Sequence, residues 1–95
     1  WHRGGSFNAL VGRFAGRISG GGFAIDGQFH PLKADPATGI CIHGGAGAGW
    51  GTKLWTPSLF ETASAAGVDL ALHSPDGDNG FPGAVDVTAR YTLDA

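Results

Sequence analysis

The sequence predicts an all-β chain, and three observations carry that expectation. Apolar and polar residues alternate with a period of two over Val85, Val87, Ala89, Tyr91 and Leu93, the pattern of a strand with one face buried. Glycine and proline together supply 23 of 95 residues, a density that favours turns over long elements. Helix signals are nearly absent, since each interior glycine costs a helix about 1 kcal/mol relative to alanine.

Taken in order, the first patterned segment is Gly12-Arg13-Phe14-Ala15-Gly16-Arg17-Ile18. On a strand its two arginines, four apart, would share one face. Phe23-Ala24-Ile25 and Gln28-Phe29-His30-Pro31-Leu32 flank Asp26-Gly27, a dipeptide that tolerates the positive φ angles of a two-residue turn, so a β-hairpin is expected there. Ile40-Cys41-Ile42 is a short apolar run ending at His43. Gly44 to Gly51 holds five glycines in eight positions and reads as irregular backbone. Glu61 to Ala66 is short and stops at Gly67, so it reads as a loop between strands. Val68, Leu70 and Leu72 alternate with Asp69, Ala71 and His73, a second strand. Ser74 to Gly83 is nearly all turn-forming residues, where proline fixes φ, glycine allows positive φ, and Asp or Asn bonds its own backbone.

Composition narrows the function classes. Leu, Ile, Val and Phe number 21, about 22% of the chain, just above the range of roughly 20% where disorder begins. Net charge is −2 with 15% charged residues, which speaks against a nucleic-acid partner. No apolar run approaches the ~18 residues that span a bilayer, which speaks against a membrane partner. Residues 1–33 carry a balance of +3 and residues 60–95 one of −5, and mutual pairing in the fold is the simplest use of that asymmetry. A single cysteine, Cys41, excludes an internal disulfide and a thiolate metal cluster. The chain has no Met and begins inside ordinary folded sequence. Residues 1–95 are therefore expected to be one partial domain cut from something longer, with unpaired strand edges that invite self-association.

Several motifs fail on inspection. A phosphate-binding loop needs Gly-Lys-Ser/Thr, but the order here is Gly51-Thr52-Lys53. A calcium loop beginning at Asp76 would need glycine at its sixth position and glutamate at its twelfth, which are Phe81 and Val87. Histidines 2, 30, 43 and 73 show no zinc spacing. Two features survive. His43, followed by Gly44 and Gly45, is either an acid–base group that a ligand reaches past glycines or a histidine satisfied by neighbouring backbone. Arg13 and Arg17 are either forks for a carboxylate or vicinal hydroxyls, or structural arginines.

Together, the arginine motif, His43-Gly44-Gly45 and Ser74-Pro75-Asp76-Gly77-Asp78-Asn79-Gly80-Phe81-Pro82-Gly83 resemble the aldose 1-epimerases, also called galactose mutarotases. The order and spacing agree, as do Trp55 and the closing Ala89-Arg90-Tyr91-Thr92-Leu93. The resemblance covers nearly the whole chain from about Phe7. It implies part of a galactose-mutarotase-like β-sandwich (a supersandwich) of antiparallel strands and hairpins. It also implies an enzyme that interconverts the α and β anomers of aldohexoses such as galactose and glucose. By resemblance, Gly16, Arg17 and His43 are substrate-binding, His43 is the catalytic residue within this stretch, and neither metal nor organic cofactor is expected. Family and free cysteine together suggest a cytoplasmic location. The family's principal proton donor, a second histidine, and its glutamate base have no counterpart in residues 1–95, so this chain alone is expected to be inactive. The family usually has Asn where this chain has Gly16, and another where it has Ile40, which leaves sugar preference open. A non-catalytic carbohydrate-binding β-domain is the alternative. The loop of Asp76–Gly83 is assigned to architecture, with direct sugar contact as the minor reading.

Overall fold

The computed structural model describes residues 9–45 and 47–94. The chain is all-β, with one short 3-10 turn at Trp50–Thr52 among the described residues. It divides into two compact units. One comprises the residues up to Lys53 together with Gly77–Pro82, and the other Leu54–Asp76 with the residues from Gly83 onward.

The first unit contains strands β1 (Arg17–Ile18), β2 (Gly22–Ile25), β3 (Gln28–Pro31) and β4 (Cys41–Ile42). β2 and β3 pair antiparallel, with Ile25 opposite Gln28 across the loop. Asp26 and Gly27 have φ of 50° and 79°, the two positive angles that match a two-residue turn to strand twist. The expected hairpin is therefore present. β1 pairs antiparallel with β4, placing Arg17 opposite Ile42 and Ile18 opposite Cys41. The core of this unit is Leu32, Cys41 and Phe81, with Ile18, Phe23 and Ala34 packed against it. The rings of Phe23 and Phe81 lie 5.9 Å apart in a tilted pair. Phe81 comes from the long turn-rich stretch, so that loop fills a core rather than merely joining two strands.

One expectation is corrected in this unit. Regular strand structure covers only Arg17–Ile18, so Arg13 and Arg17 do not lie on one strand face. Gly16, at φ of 101°, turns the backbone between them. Arg13 instead donates from Nη1 to the Pro82 carbonyl at 3.1 Å.

The second unit is a three-stranded antiparallel sheet ordered β5-β6-β7, where β5 is Thr56–Glu61, β6 Ala65–Ser74 and β7 Val85–Asp94. A tight connection is present as expected but is shorter than Glu61 to Ala66: only residues 62–64 join the strands, because Glu61 pairs with Ala66 in the ladder. Thr62 Oγ1 accepts from the Ala65 N–H at 3.0 Å. β5 was not legible as a strand. Pro57 sits on it, tolerated because β5 is an edge.

Register puts Leu59, Val68 and Tyr91 on one face, beside Leu70 and Ala89. The other face carries Phe60, Asp69 and Arg90, where the guanidinium grips both Asp69 oxygens at 2.6 and 2.8 Å and lies 4.5 Å over the Phe60 ring. The alternation along β7 is real, but its apolar face is less covered than the period alone implies. Val87 and Ala89 are half-buried, whereas Tyr91 is 53% and Leu93 78% exposed. Three strands form a single layer, and a single layer leaves one apolar face open.

Candidate functional site

His43 follows the last residue of β4 and has φ of 48°. Its neighbour across the β1–β4 ladder is Gly16, the next pair after Arg17 and Ile42. In a continued antiparallel ladder these two residues would exchange two backbone hydrogen bonds. One is made in the ordinary way, the His43 N–H donating to the Gly16 carbonyl at 2.8 Å. In the other, the Gly16 N–H donates to His43 Nδ1 at 3.1 Å. The positive φ turns the His43 carbonyl out of the ladder and the imidazole takes its place as acceptor.

This substitution has a chemical consequence. A ring nitrogen that accepts carries no proton, so the neutral His43 ring is protonated at Nε2 and presents that N–H as a donor. The assignment follows from the hydrogen-bond partner.

The structure thus brings His43 and Gly16 into direct contact and sets Arg17 one position along, exposed and opposite Ile42. Space beside Gly16 is open among the described residues: a Cβ there would come no nearer than 3.9 Å to the Phe14 ring. A cleft of about 270 Å³ adjoins His43, walled by Val11, Ile42, Thr52 and four glycines of the 45–51 run. Neither Gly16 nor Arg17 lines that cleft. Among the described residues, no group of three or more His, Cys, Asp or Glu is placed to hold a metal ion.

Residues 77–82 support this arrangement from the far end of the chain. Asp78 pairs with Lys53 at 3.0 Å, and the Asn79 amide donates to the Ala48 carbonyl at 2.6 Å. The Asn79 carbonyl accepts from the Lys33 N–H at 2.9 Å. The expectation that the loop carboxylates accept backbone N–H groups describes Asp76, whose Oδ1 takes the Gly83 N–H at 2.5 Å. For Asp78 the structure adds a lysine partner. Asn79 was not singled out from the sequence. Its signal was an Asn in a turn-rich run, and nothing local says that its amide reaches a carbonyl 31 residues away.

Comparisons with known proteins agree on one family. The aldose 1-epimerase family model matches residues 1–95. A galactose mutarotase from Rattus norvegicus is 41% identical over 90 residues, covering 93% of this chain and 24% of its own length. An aldose 1-epimerase from Haemophilus influenzae is 38% identical over 85 residues, covering 90% of this chain and 23% of its own. A crystal structure of galactose 1-epimerase from Lactobacillus acidophilus superimposes with a TM-score of 0.77 at 37% identity, over 88% of this chain and 24% of that one. The chain spans about a quarter of the length of these relatives. With its motifs, its strands and its relatives in agreement, the chain belongs to the aldose 1-epimerase family.

Proposed function

We propose that this chain supplies the sugar-holding part of an aldose 1-epimerase acting on aldohexoses such as galactose and glucose. Anomer exchange opens the pyranose ring: a base removes the proton from the C1 hydroxyl while an acid protonates the ring oxygen. The C1–C2 bond rotates, and the ring recloses on the other carbonyl face. Both groups must stand within hydrogen-bond reach of their atoms.

The observation that carries the reading is the hydrogen bond from the Gly16 N–H to His43 Nδ1. With Nδ1 occupied, His43 offers the sugar an Nε2–H donor and not a basic lone pair. Full protonation of the ring and the Gly16 bond exclude each other, because both need Nδ1. His43 therefore suits polarising a sugar oxygen and assisting a separate acid, as the family resemblance implies. Arg17, exposed at the next position of β1, offers a planar fork of donors to vicinal hydroxyls. Gly16 lets ligand and backbone approach closely, and the open space beside it bears on which substituents the site accepts.

Saturation-transfer NMR with D-galactose and D-glucose tests the holding role. Transfer to the sugar is expected with the 95-residue chain and should be lost in Arg17→Met. Transfer from Arg17→Met and His43→Ala that equals that of the unsubstituted chain would overturn the proposal. Polarimetry of freshly dissolved α-galactose tests the division of labour. The chain should match His43→Ala in rate, and acceleration well above that variant would place a complete acid–base pair within residues 1–95.

A further inference from the structure

We infer that Asn79 is a positioning residue for His43, acting through the glycine-rich run that follows the histidine. The inference rests on reading His43 as the sugar-facing donor. Asn79 is tied to three places at once. Its backbone carbonyl accepts from Lys33 just beyond β3, its amide donates to the Ala48 carbonyl at 2.6 Å, and its side chain lies beside Gly45. A Cβ at Gly45 would stand 2.9 Å from the Asn79 amide carbon, so a side chain there would force Asn79 to shift.

Gly45 is two residues from His43, and its N–H donates to the Ile42 carbonyl at 3.1 Å, closing a tight turn around the histidine. The Ala48 N–H returns to the Gly45 carbonyl at 3.2 Å. Gly49 and Gly44 pack against the His43 and Gly12 carbonyls. A glycine-rich run has little conformational preference of its own, so its shape comes from outside anchors. Asn79 pins it from the side and fixes where the turn carrying His43 lies. That, in turn, decides whether Nδ1 meets the Gly16 N–H.

The residue type follows from two demands at this position. Its φ is 51°, which Asn and Asp accept more readily than other side chains. The Ala48 carbonyl requires a donor, which Asn has and ionised Asp lacks. The neighbouring Lys53–Asp78 pair ties the same loop to residue 53, beyond the glycine-rich run. It therefore serves as the internal control.

The test reads the His43 tautomer directly by long-range proton–nitrogen NMR of the imidazole in the 95-residue chain, with His43→Ala used to assign the signal. The wild type should show the Nε2–H form. Asn79→Asp and Asn79→Gly both keep the backbone preference and both should raise the share of the Nδ1–H form about fivefold, the equilibrium effect of one neutral hydrogen bond. Amide signals of the Ile25–Gln28 turn should stay in place. Lys53→Gln should lower the unfolding midpoint and leave the ring spectrum unchanged. If Asn79→Asp unfolds, Asn79→Gly decides the matter. Ring spectra that stay wild-type in the folded Asn79 variants would overturn the inference, and so would an equal change in Lys53→Gln. A chain that shows the expected ring spectra but no saturation transfer to galactose would sink the sugar reading and leave the Asn79 inference intact.

Discussion

Phe81 offers the sharpest test of how the first unit is held together. It is 7% exposed and packs with Leu32, Cys41 and the Phe23 ring. A phenylalanine buried to this degree removes about 190 Å² from water, worth about 4–5 kcal/mol at 25 cal/mol per Å². A realistic unfolded state already buries part of that area, which brings the figure to about 3–4 kcal/mol. Phe81→Ala should cost this much, against a total of about 5–14 kcal/mol for a chain of this length. Urea unfolding monitored by tryptophan fluorescence is the assay. With a slope of about 1–3 kcal/mol/M, the midpoint should fall by roughly 1–4 M at unchanged slope. Phe81→Leu fills most of the volume and should cost less than about 1.5 kcal/mol. A loss below about 1 kcal/mol in Phe81→Ala would refute the argument, as would Phe81→Leu proving equally costly. Either result would mean that the turn-rich loop is a passenger on this core.

Three further outcomes follow from the same structure. The Arg90 guanidinium, by hydrogen bonding first and charge second, holds the Asp69 carboxyl below the usual carboxylate range. A lowered folded-state pKa gives stability that is present above the unfolded value and lost as pH falls through the folded one, so Arg90→Gln should flatten the acid limb of thermal unfolding below about pH 5. Asp78→Ala strands Lys53 and should lower stability by about 1–3 kcal/mol while leaving galactose affinity nearly intact; a large affinity loss in a folded variant would make the loop part of the sugar site. We also propose self-association through the sheet: sedimentation should show concentration-dependent oligomers that Leu93→Lys disperses, and an unchanged distribution would remove that face from consideration.

What could be read from residues alone was decided by how local each feature's cause is. The Asp26–Gly27 hairpin was legible because two adjacent residues set the turn and the flanking apolar residues set the strands. β6 and β7 were legible because a period of two persists over many residues. β5 escaped because Thr56-Pro57-Ser58 carries no strand pattern, and its order comes from pairing with β6. At the site, the positions of Gly16, Arg17 and His43 in the chain were legible as motifs. That the imidazole replaces a main-chain acceptor was not, because it depends on Gly16 and His43 meeting from 27 residues apart. Arg13 misled for the opposite reason: its four-residue spacing from Arg17 counts only on a continuous strand, and Gly16 interrupts that strand.

The first unit takes its segment 77–82 from beyond most of the second unit's chain. Neither unit is therefore a contiguous stretch of sequence, and no single cut separates them intact. During synthesis, Leu32 and Cys41 emerge well before the ring that completes their cluster. About thirty residues separate Lys53 from Pro82, a delay of roughly 1.5–6 s at ordinary elongation rates. Through that interval the nascent first unit lacks Phe81 in its core and Asn79 against its glycine-rich run. His43 and Gly16 emerge early, but the anchor that fixes the turn carrying His43 arrives last.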